Sequence, residues 1–247
     1  MDEQSQGSGG DESSLDAISS LDALRAHIGD CHRCPLGDTR TTLVFGVGDP
    51  SARLMFVGEA PGRNEDLKGE PFVGAAGALL DELLASIGLV RSEVYIANVL
   101  KCRPPGNRDP LSDEMKSCTP FLAQQVRLID PTVIATLGNW ATKYMLGTER
   151  GITGLRGRLF RVGGRQIVPI FHPAAALYDQ TKREVLFEDF KRLQSVLDGS
   201  LASAQAALPA THVPGAWRTA VGGESAIPDG GSGASAADDD DVQQTLF

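Results

Sequence analysis

Cysteine, long apolar runs and a basic leader are scarce or absent in this chain, and each shortage excludes something. Four of its 247 residues are cysteine, and a domain of this size buries a full core without disulfide bonds. No apolar run approaches the roughly 18 residues of a membrane span, which excludes an integral membrane protein. Residues 1–11 are acidic and rich in Gly and Ser, not basic and then apolar, so we expect a cytoplasmic protein without a secretory leader.

Acidic charge is concentrated at the two ends. Residues 1–30 hold seven acids and one base, and residues 201–247 hold six acids and one base. The remaining residues hold 19 acids and 21 bases, so a body of net charge +2 lies inside a chain whose total is −9. This charge permits a polyanionic partner but does not require one.

Composition divides the chain into four parts. Residues 1–14 and 201–240 contain few large apolar side chains and much Gly, Ser, Ala or acid, which predicts disordered segments. Residues 15–200 carry regular apolar patterns and predict one folded domain. Residues 241–247 form a short segment at the end of the chain.

Short apolar runs alternate with amphipathic helical patterns inside the predicted domain. The predicted strands are residues 53–57, 94–100, 133–137 and 167–171. The predicted helices are residues 14–28, 77–87, 112–128 (with Ser112 as N-cap), 139–146 and 183–197, and residues 151–165 predict a β-hairpin or an ordered loop. This alternation predicts an α/β fold, a three-layer sandwich in which helices flank a central four-stranded, mostly parallel sheet.

Polar or glycine-rich segments follow all four predicted strands. They are residues 58–62, 101–107, 138–139 and 172–173. Ligands of such sheets bind at the carboxyl ends of the strands, so the sequence predicts a functional site at this edge.

The four cysteines are the first candidate site. Cys31 and Cys34 form a C-x2-C pair, and Cys102 and Cys118 follow after 67 further residues. A C-x2-C pair in a cytoplasmic protein favours metal binding over a disulfide, and four thiolates suit either tetrahedral zinc or an iron–sulfur cluster. Four buried, inert thiols are the alternative. His32 lies inside the clip and is not expected to bind the metal.

Three further side chains lie at or near the predicted edge. The ring of Phe72 is placed to stack on a planar base or, alternatively, to fill the core. The amide of Asn98 can read a donor and acceptor pattern or cap the backbone. His172 is the one histidine of four at the end of a predicted strand; it can donate to charge that develops on a leaving group, or be purely structural.

A long motif ties these residues together. The chain reads Gly-Glu-Ala-Pro-Gly at 58–62, Pro-Phe-Val-Gly at 71–74, Asn-Val-Leu-Lys-Cys-Arg-Pro-Pro at 98–105 and His-Pro at 172–173. With the four ordered cysteines, it resembles family 4 of the uracil-DNA glycosylases over about residues 21–197. The resemblance implies the uracil-DNA glycosylase fold and an enzyme of base excision repair, nucleoid-associated and monomeric, that flips uracil out of single- or double-stranded DNA and removes it.

The resemblance also implies roles for individual residues. Phe72 would stack on uracil, Asn98 would bind its O4/N3 edge, and His172 would donate to O2 as the glycosidic bond breaks. The backbone contacts would come from Gly58, Glu59 and Ala60. The implied cofactor is a [4Fe–4S] cluster, with zinc as the alternative occupant, and its ligands would be Cys31, Cys34, Cys102 and Cys118.

The water-positioning group and the DNA contacts are less directly implied. Ala60 stands where distant family 1 enzymes carry an Asp, so we expect Glu59 to position water, with Glu65 as second candidate. Residues 106–110 lack the inserted basic loop of a related, covalently trapping branch, which predicts hydrolysis. Phosphate contacts are expected from Arg or Lys in 101–108 and 150–165, and Leu177 is expected to wedge into the vacated stack.

The end of the chain suggests a partner. Gln243, Leu246 and Phe247 resemble the short peptides that dock on DNA sliding clamps, with residues 201–240 as a tether. The alternative function is a non-catalytic metal-cluster module that binds damaged DNA or a repair partner. A phosphotransferase is excluded because the chain lacks a P-loop lysine.

Overall fold

The computed structural model describes residues 15–201 and contains one six-stranded sheet within them. Its strands are β1 Val47–Gly48, β2 Leu54–Gly58, β3 Tyr95–Asn98, β4 Val133–Leu137, β5 Phe160–Val162 and β6 Arg165–Ile170. Their order across the sheet is β1-β3-β2-β4-β6-β5. The four inner strands are parallel, and each edge strand pairs antiparallel with its neighbour.

The predicted four-stranded parallel sheet is confirmed as the centre of this larger sheet, but the count of four was two strands short. Val47–Gly48 is too short to show an alternating pattern. Phe160–Val162 belongs to the segment for which the sequence left a hairpin or a loop open. Gly163 and Gly164 both have positive φ (55° and 79°), which a tight hairpin turn requires, and the hairpin is the structure found.

The helices agree closely with the predicted amphipathic patterns. They are α1 Leu21–Ile28, α2 Leu36–Thr39, α3 Arg63–Lys68, α4 Ala75–Ser86, α5 Ser112–Ile129, α6 Asn139–Leu146 and α7 Gln180–Leu197. Four 3-10 turns are Arg91–Glu93, Pro105–Asn107, Ile152–Gly154 and Pro173–Ala176. The helices α2 and α3 were not predicted, because both are short and their few apolar residues form no period.

Capping residues displace two of the predicted helix starts, and a third helix has a different N-cap from the predicted one. Ser20 caps α1 by accepting a hydrogen bond from the amide of Ala23, so this helix begins well after residue 14. Asp179 caps α7, which begins at residue 180, not 183. Ser112 is the first helical residue of α5 and not its N-cap; the Glu114 carboxylate accepts from the amide of Leu111 at 2.8 Å.

Helices cover both faces of the sheet, which confirms the three-layer architecture. On one face Phe56 of β2 stacks on Phe190 of α7, with the ring centroids 5.7 Å apart, and α4 packs beside them. On the other face Val57 packs against α5 and α6. A third apolar cluster joins α1 and α2 to α5 around two of the cysteines. Within residues 15–201, no helix is long and apolar enough to cross a membrane.

Candidate active site

A cavity of about 430 Å³ opens at the carboxyl edge of the sheet. It is where the sequence predicted a site, because the ends of β2, β3 and β6 converge there. Its wall contains Glu59, Ala60, Glu65, Phe72, Asn98 and His172. The structure therefore brings together the predicted substrate-contact and catalytic side chains, with Gly58 directly behind them.

Gly58 allows the other groups to meet. It is paired with Asn98 across the parallel strands β2 and β3. A Cβ atom at position 58 would lie 2.3 Å from Oδ1 of Asn98 and 2.9 Å from Cζ of Phe72. A side chain is therefore excluded here, and the glycine lets an amide and an aromatic ring approach the same piece of backbone.

Asn98 lines the cavity and carries an unused hydrogen-bonding atom beside Gly58. The residue is 2% exposed. Its Oδ1 is buried and has no hydrogen-bond partner among the described residues. Leaving such an acceptor unpaired destabilises a folded protein by about 1–3 kcal/mol, so the arrangement is suited to a ligand that donates a hydrogen bond here.

Phe72 lies beside the same glycine in a strained conformation. Its φ is 55°, which a bulky residue seldom adopts and which costs on the order of 1–3 kcal/mol. The ring centroid lies 5.4 Å from that of His172, with 26° between the planes. Phe72 also belongs to a core cluster and is 5% exposed, so it fills the core and also lines the cavity.

His172 is held as a neutral hydrogen-bond donor. Its Nδ1 accepts from the main-chain amide of Ala174 at 3.1 Å, which places the ring proton on Nε2. Burial lowers the pKa of His172 from 6.5 to about 4, so the imidazole is uncharged at neutral pH.

Comparisons with known proteins identify the family. A family profile described as "Uracil DNA glycosylase superfamily" matches residues 45–194. A type-4 uracil-DNA glycosylase of Archaeoglobus fulgidus is 47% identical over 184 residues, which is 71% of this chain and 92% of that protein. Those of Sulfurisphaera tokodaii and Thermotoga maritima are 45% and 40% identical, covering 72% of this chain and 86% and 94% of theirs. The chain belongs to the type-4 uracil-DNA glycosylases. This confirms the resemblance, the fold and the enzyme class inferred from the sequence.

The two glutamates that line the cavity of this glycosylase, Glu59 and Glu65, differ in their surroundings. Burial, with a smaller contribution from nearby Asp109, raises the pKa of Glu59 from 4.5 to about 7. Oε1 of Glu65 accepts hydrogen bonds from the amides of Val73 and Gly74 at 2.9 and 3.2 Å. The Glu65 carboxylate is thus bonded to the loop that carries Phe72, and both glutamates line the cavity.

The basic segments expected to bind phosphate are largely engaged within the protein. Lys101 is 1% exposed, and its Nζ donates to the Asn98 carbonyl and to Gln125 at 2.8 and 2.6 Å; the expectation of a phosphate contact from this residue was wrong. Arg156 pairs with buried Asp189 at 2.9 Å. Arg108 pairs with Glu114 and also lines the cavity, which the lining residues show for no other basic residue of segment 101–108.

Apolar side chains project at the mouth of the cavity. Leu177, the predicted wedge, is 38% exposed, and Tyr178 beside it is 76% exposed. Sequence reasoning missed Tyr178, and the signal available was an aromatic residue next to the wedge. Arg108 belongs to segment 101–108, from which phosphate contacts were expected, but its place in the cavity wall depends on the turn Pro105–Asn107 that precedes it.

The four cysteines of the glycosylase line one small cavity. None forms a disulfide; Cys102 and Cys118 are buried, and Cys31 and Cys34 are half-buried. Burial raises the pKa of Cys102 to about 11 and that of Cys118 to about 12. Among residues 15–201, no group of three or more His, Cys, Asp or Glu side chains is arranged to hold a single metal ion.

Hydrogen-bond donors surround these thiols. The amide of Lys101 donates to Sγ of Cys118 at 3.2 Å. Guanidinium groups of Arg33 and Arg40 donate to Cys31 and Cys102 at 3.6 and 3.7 Å. His32 is bonded through Nδ1 to Asp38 at 2.7 Å; that it is not a ligand stays a prediction.

Proposed function

We propose that this protein removes uracil from DNA by hydrolysing its N-glycosidic bond in the cavity at the carboxyl edge of the sheet, leaving an abasic site. The observation that carries the proposal is the unpaired, buried Oδ1 of Asn98 beside Phe72 and His172. A planar ring inserted there meets an aromatic face, an amide edge and an imidazole donor. The enzyme thus explains the geometry better than a non-catalytic module, which has no need of a buried neutral donor.

Asn98 accounts for selectivity between uracil and cytosine. Uracil presents an N3–H donor and an O4 acceptor, which Oδ1 and the NH2 group of Asn98 match. Cytosine presents an N3 acceptor and an amino donor, so the same amide would face two mismatched groups. A site built around one pattern rejects the other because its buried polar groups are left unpaired. Stacking on Phe72 adds about 1–3 kcal/mol for any base.

His172 accelerates bond cleavage. As the bond between N1 and the sugar breaks, the bonding electrons move to the uracil ring and negative charge develops on O2. The Nε2–H of His172 donates to that oxygen most strongly as the charge appears, which lowers the barrier without tightening ground-state binding. A neutral imidazole performs this role without transferring its proton.

Glu59 is the group that we assign to the attacking water. Both glutamates line the cavity, but the carboxylate of Glu65 is bonded to two amides of the Phe72 loop, whereas burial raises the pKa of Glu59 to about 7. In its ionised form Glu59 accepts a proton from water, and the resulting hydroxide oxygen bonds to C1′ of the cationic sugar. Glu65 then has a positioning role, and Gly58, Glu59 and Ala60 supply backbone contacts to uracil.

The substrate is uracil-containing DNA, whose base must leave the helix to reach this cavity. Flipping costs a few kcal/mol. Leu177 and Tyr178 project at the mouth, where apolar side chains can enter the vacated stack. Arg108 at the rim provides a cation for an adjacent phosphate.

We assign the four-cysteine cavity to a [4Fe–4S] cluster, with Cys31, Cys34, Cys102 and Cys118 as ligands. Zinc–sulfur bonds of about 2.3 Å would place four sulfurs about 3.8 Å apart, and the described thiols form no such group although they line one cavity. A cluster binds its thiolates through separate iron atoms and accepts wider spacing. When bound, it would link residues 31–34 covalently to α5 and to the segment after β3.

Excision assays test the proposal. Purified protein with its cofactor is expected to release uracil from U·A, U·G and single-stranded oligonucleotides and to leave cytosine in place. Asn98→Ala should lose most of this activity while binding abasic-site DNA normally, which separates base reading from DNA binding. Uracil left in place by protein that shows cluster absorbance would overturn the proposal.

Other parts of the prediction lie outside the described residues. The acidic segment 1–14, the linker 201–240 (apart from Leu201) and the clamp-binding peptide with Gln243, Leu246 and Phe247 belong to this group. They stay predictions, as do the monomeric state and the cytoplasmic location.

A further inference from the structure

Phe72 has a strained backbone conformation, which contacts with neighbouring residues must maintain. Its φ of 55° persists only if the surroundings fix the loop more firmly than a relaxed alternative. Two polar side chains, those of Glu65 and Arg91, contact the loop formed by residues 71–74 from different elements. Glu65 of α3 accepts from the amides of Val73 and Gly74.

Arg91 binds the same loop through its carbonyl groups. Its Nη1 donates to the carbonyl of Pro71 at 3.1 Å, and its Nη2 donates to the carbonyl of Phe72. The same Nη2 donates to the carbonyl of Gly77 in α4 at 3.3 Å, while Nε donates to Asp81 at 2.6 Å. One planar guanidinium thus joins the loop to helix α4 by four hydrogen bonds, a pattern that an ammonium group cannot reproduce.

Gly77 makes this arrangement possible. A Cβ atom at position 77 would lie 1.8 Å from the carbonyl oxygen of Phe72. The carbonyl is therefore pressed against the first turns of α4, and Arg91 supplies its hydrogen-bond donor there. Arg91 itself lies 19 residues further along the chain, in the 3-10 turn Arg91–Glu93 that precedes β3.

We infer that Arg91 is a positioning residue for uracil excision: together with Glu65 it fixes Phe72 in the orientation that stacks on the flipped base. This inference rests on the proposed stacking role of Phe72. Arg91 does not line the base cavity in this structure, so any effect on uracil must pass through the loop. A small misplacement of a substrate-contacting group can lower a rate by up to about 100-fold.

A double-mutant cycle tests the inference. We expect Arg91→Gln to lower the single-turnover excision rate about tenfold and to weaken inhibition by free uracil by a similar factor. In a Phe72→Leu background the same change should cost no more than about twofold, because the ring that Arg91 positions is already absent. Arg91→Lys should behave like Arg91→Gln, and it replaces that variant in the cycle if the glutamine protein does not fold.

Arg183 provides the matched control. It pairs with Glu82, the residue next to Asp81 on α4, but it does not contact the 71–74 loop. Arg183→Gln should retain the excision rate and the uracil affinity of the wild type, whatever its effect on thermal stability.

Each remaining outcome has a defined meaning. An unchanged rate for Arg91→Gln, equal losses in both Phe72 backgrounds, or an equal loss for Arg183→Gln would overturn the role of Arg91. Full activity of Phe72→Leu alone would instead overturn the proposed stacking of uracil on Phe72, so the two failures are distinguishable.

Discussion

The main-chain amide of Ala174 donates a 3.1 Å hydrogen bond to Nδ1 of His172. This bond joins His172, which lies two residues after the end of β6, to the 3-10 turn Pro173–Ala176 and fixes both the ring orientation and the tautomer. Because Nδ1 is an acceptor, Nε2 carries the proton that the proposed mechanism directs at uracil O2. The proline at position 173 has no amide hydrogen, so Ala174 supplies the nearest following amide.

Removing this donor should slow the chemical step. We expect His172→Ala to lower the single-turnover excision rate about 10²–10³-fold, the usual loss for one donor that stabilises developing charge. Binding of uracil-containing DNA should change far less, since the donor acts mainly in the transition state. A single-turnover rate within about threefold of wild type, measured at saturating enzyme, would exclude His172 from this role.

Ionisation of Glu59 should control the pH dependence of the rate. Its pKa of about 7 predicts that single-turnover excision rises with pH through about 7, as the carboxylate becomes able to accept a proton from water. The pKa of His172, about 4, lies below this range and should not contribute. Glu59→Gln should be slow and should lack the step near pH 7; a retained step would assign the titration to another group.

The raised pKa of Glu59 also predicts that the stability of the folded protein falls as the pH rises, whereas the excision rate increases. The folded state raises the pKa of Glu59 from 4.5 to about 7, so the folded protein binds more protons than the unfolded chain between these values. Stability therefore falls as pH rises through this window, with an upper limit of about 3 kcal/mol. Glu59→Gln should be more stable than wild type at pH 8, with a smaller difference at pH 5. Thermal midpoints at the two pH values check this.

Gly58→Ala should damage the site with little effect on the rest of the fold. The added Cβ would meet Oδ1 of Asn98 at 2.3 Å, so the amide or the Phe72 ring must move. We expect at least about a tenfold loss of excision, by misplacement of a base-reading group. The control is Gly151→Ala, whose Cβ would meet only Oδ1 of Asn139, at 3.9 Å. Wild-type activity of Gly58→Ala would contradict the proposed crowding.

The elements that the sequence predicted well are those with local signals. Helix α6 was placed at its observed bounds because glycines flank an apolar period at 138 and 147, and Gly147 ends the helix with φ 59°. Strand β2 is a run of five buried residues. In contrast, α3 has the polar sequence RNEDLK with one buried residue, Asp66. Its form depends on tertiary contacts, such as the Asp66 carboxylate accepting from the amide of Thr41.

The candidate site shows the same division. Asn98 and His172 were found because both lie at the ends of strands. The role of Arg91 could not be predicted, since it depends on carbonyl groups of a loop about twenty residues earlier in the chain. The burial of Lys101 could not be predicted either, because basic residues usually lie on the surface; its ammonium donates in the interior to a main-chain carbonyl and to the side-chain oxygen of Gln125.

The cysteine site should show a cofactor by absorbance. We expect wild-type protein to have a broad band near about 400 nm, and Cys118→Ser to lose it together with thermal stability, because Cys118 lies in helix α5 and the other ligands in separate segments. His32→Ala is the matched control. It lies inside the C-x2-C clip but bonds to Asp38, so it should retain the band. Colourless wild-type protein with one bound zinc would contradict the cluster assignment.

Leu177 should matter more for duplex than for single-stranded DNA. It is 38% exposed at the mouth of the cavity, and a side chain that fills a vacated stack is needed only where a stack exists. We expect Leu177→Ala to lower excision from U·A duplex about tenfold, in keeping with the few kcal/mol that flipping costs, and from a single strand by less than about threefold. Val90 provides the control. It is 55% exposed near the amino end of β3, away from the cavity, so Val90→Ala should retain both rates. Equal losses on the two substrates with Leu177→Ala would remove the wedge role and favour a contact with the base itself.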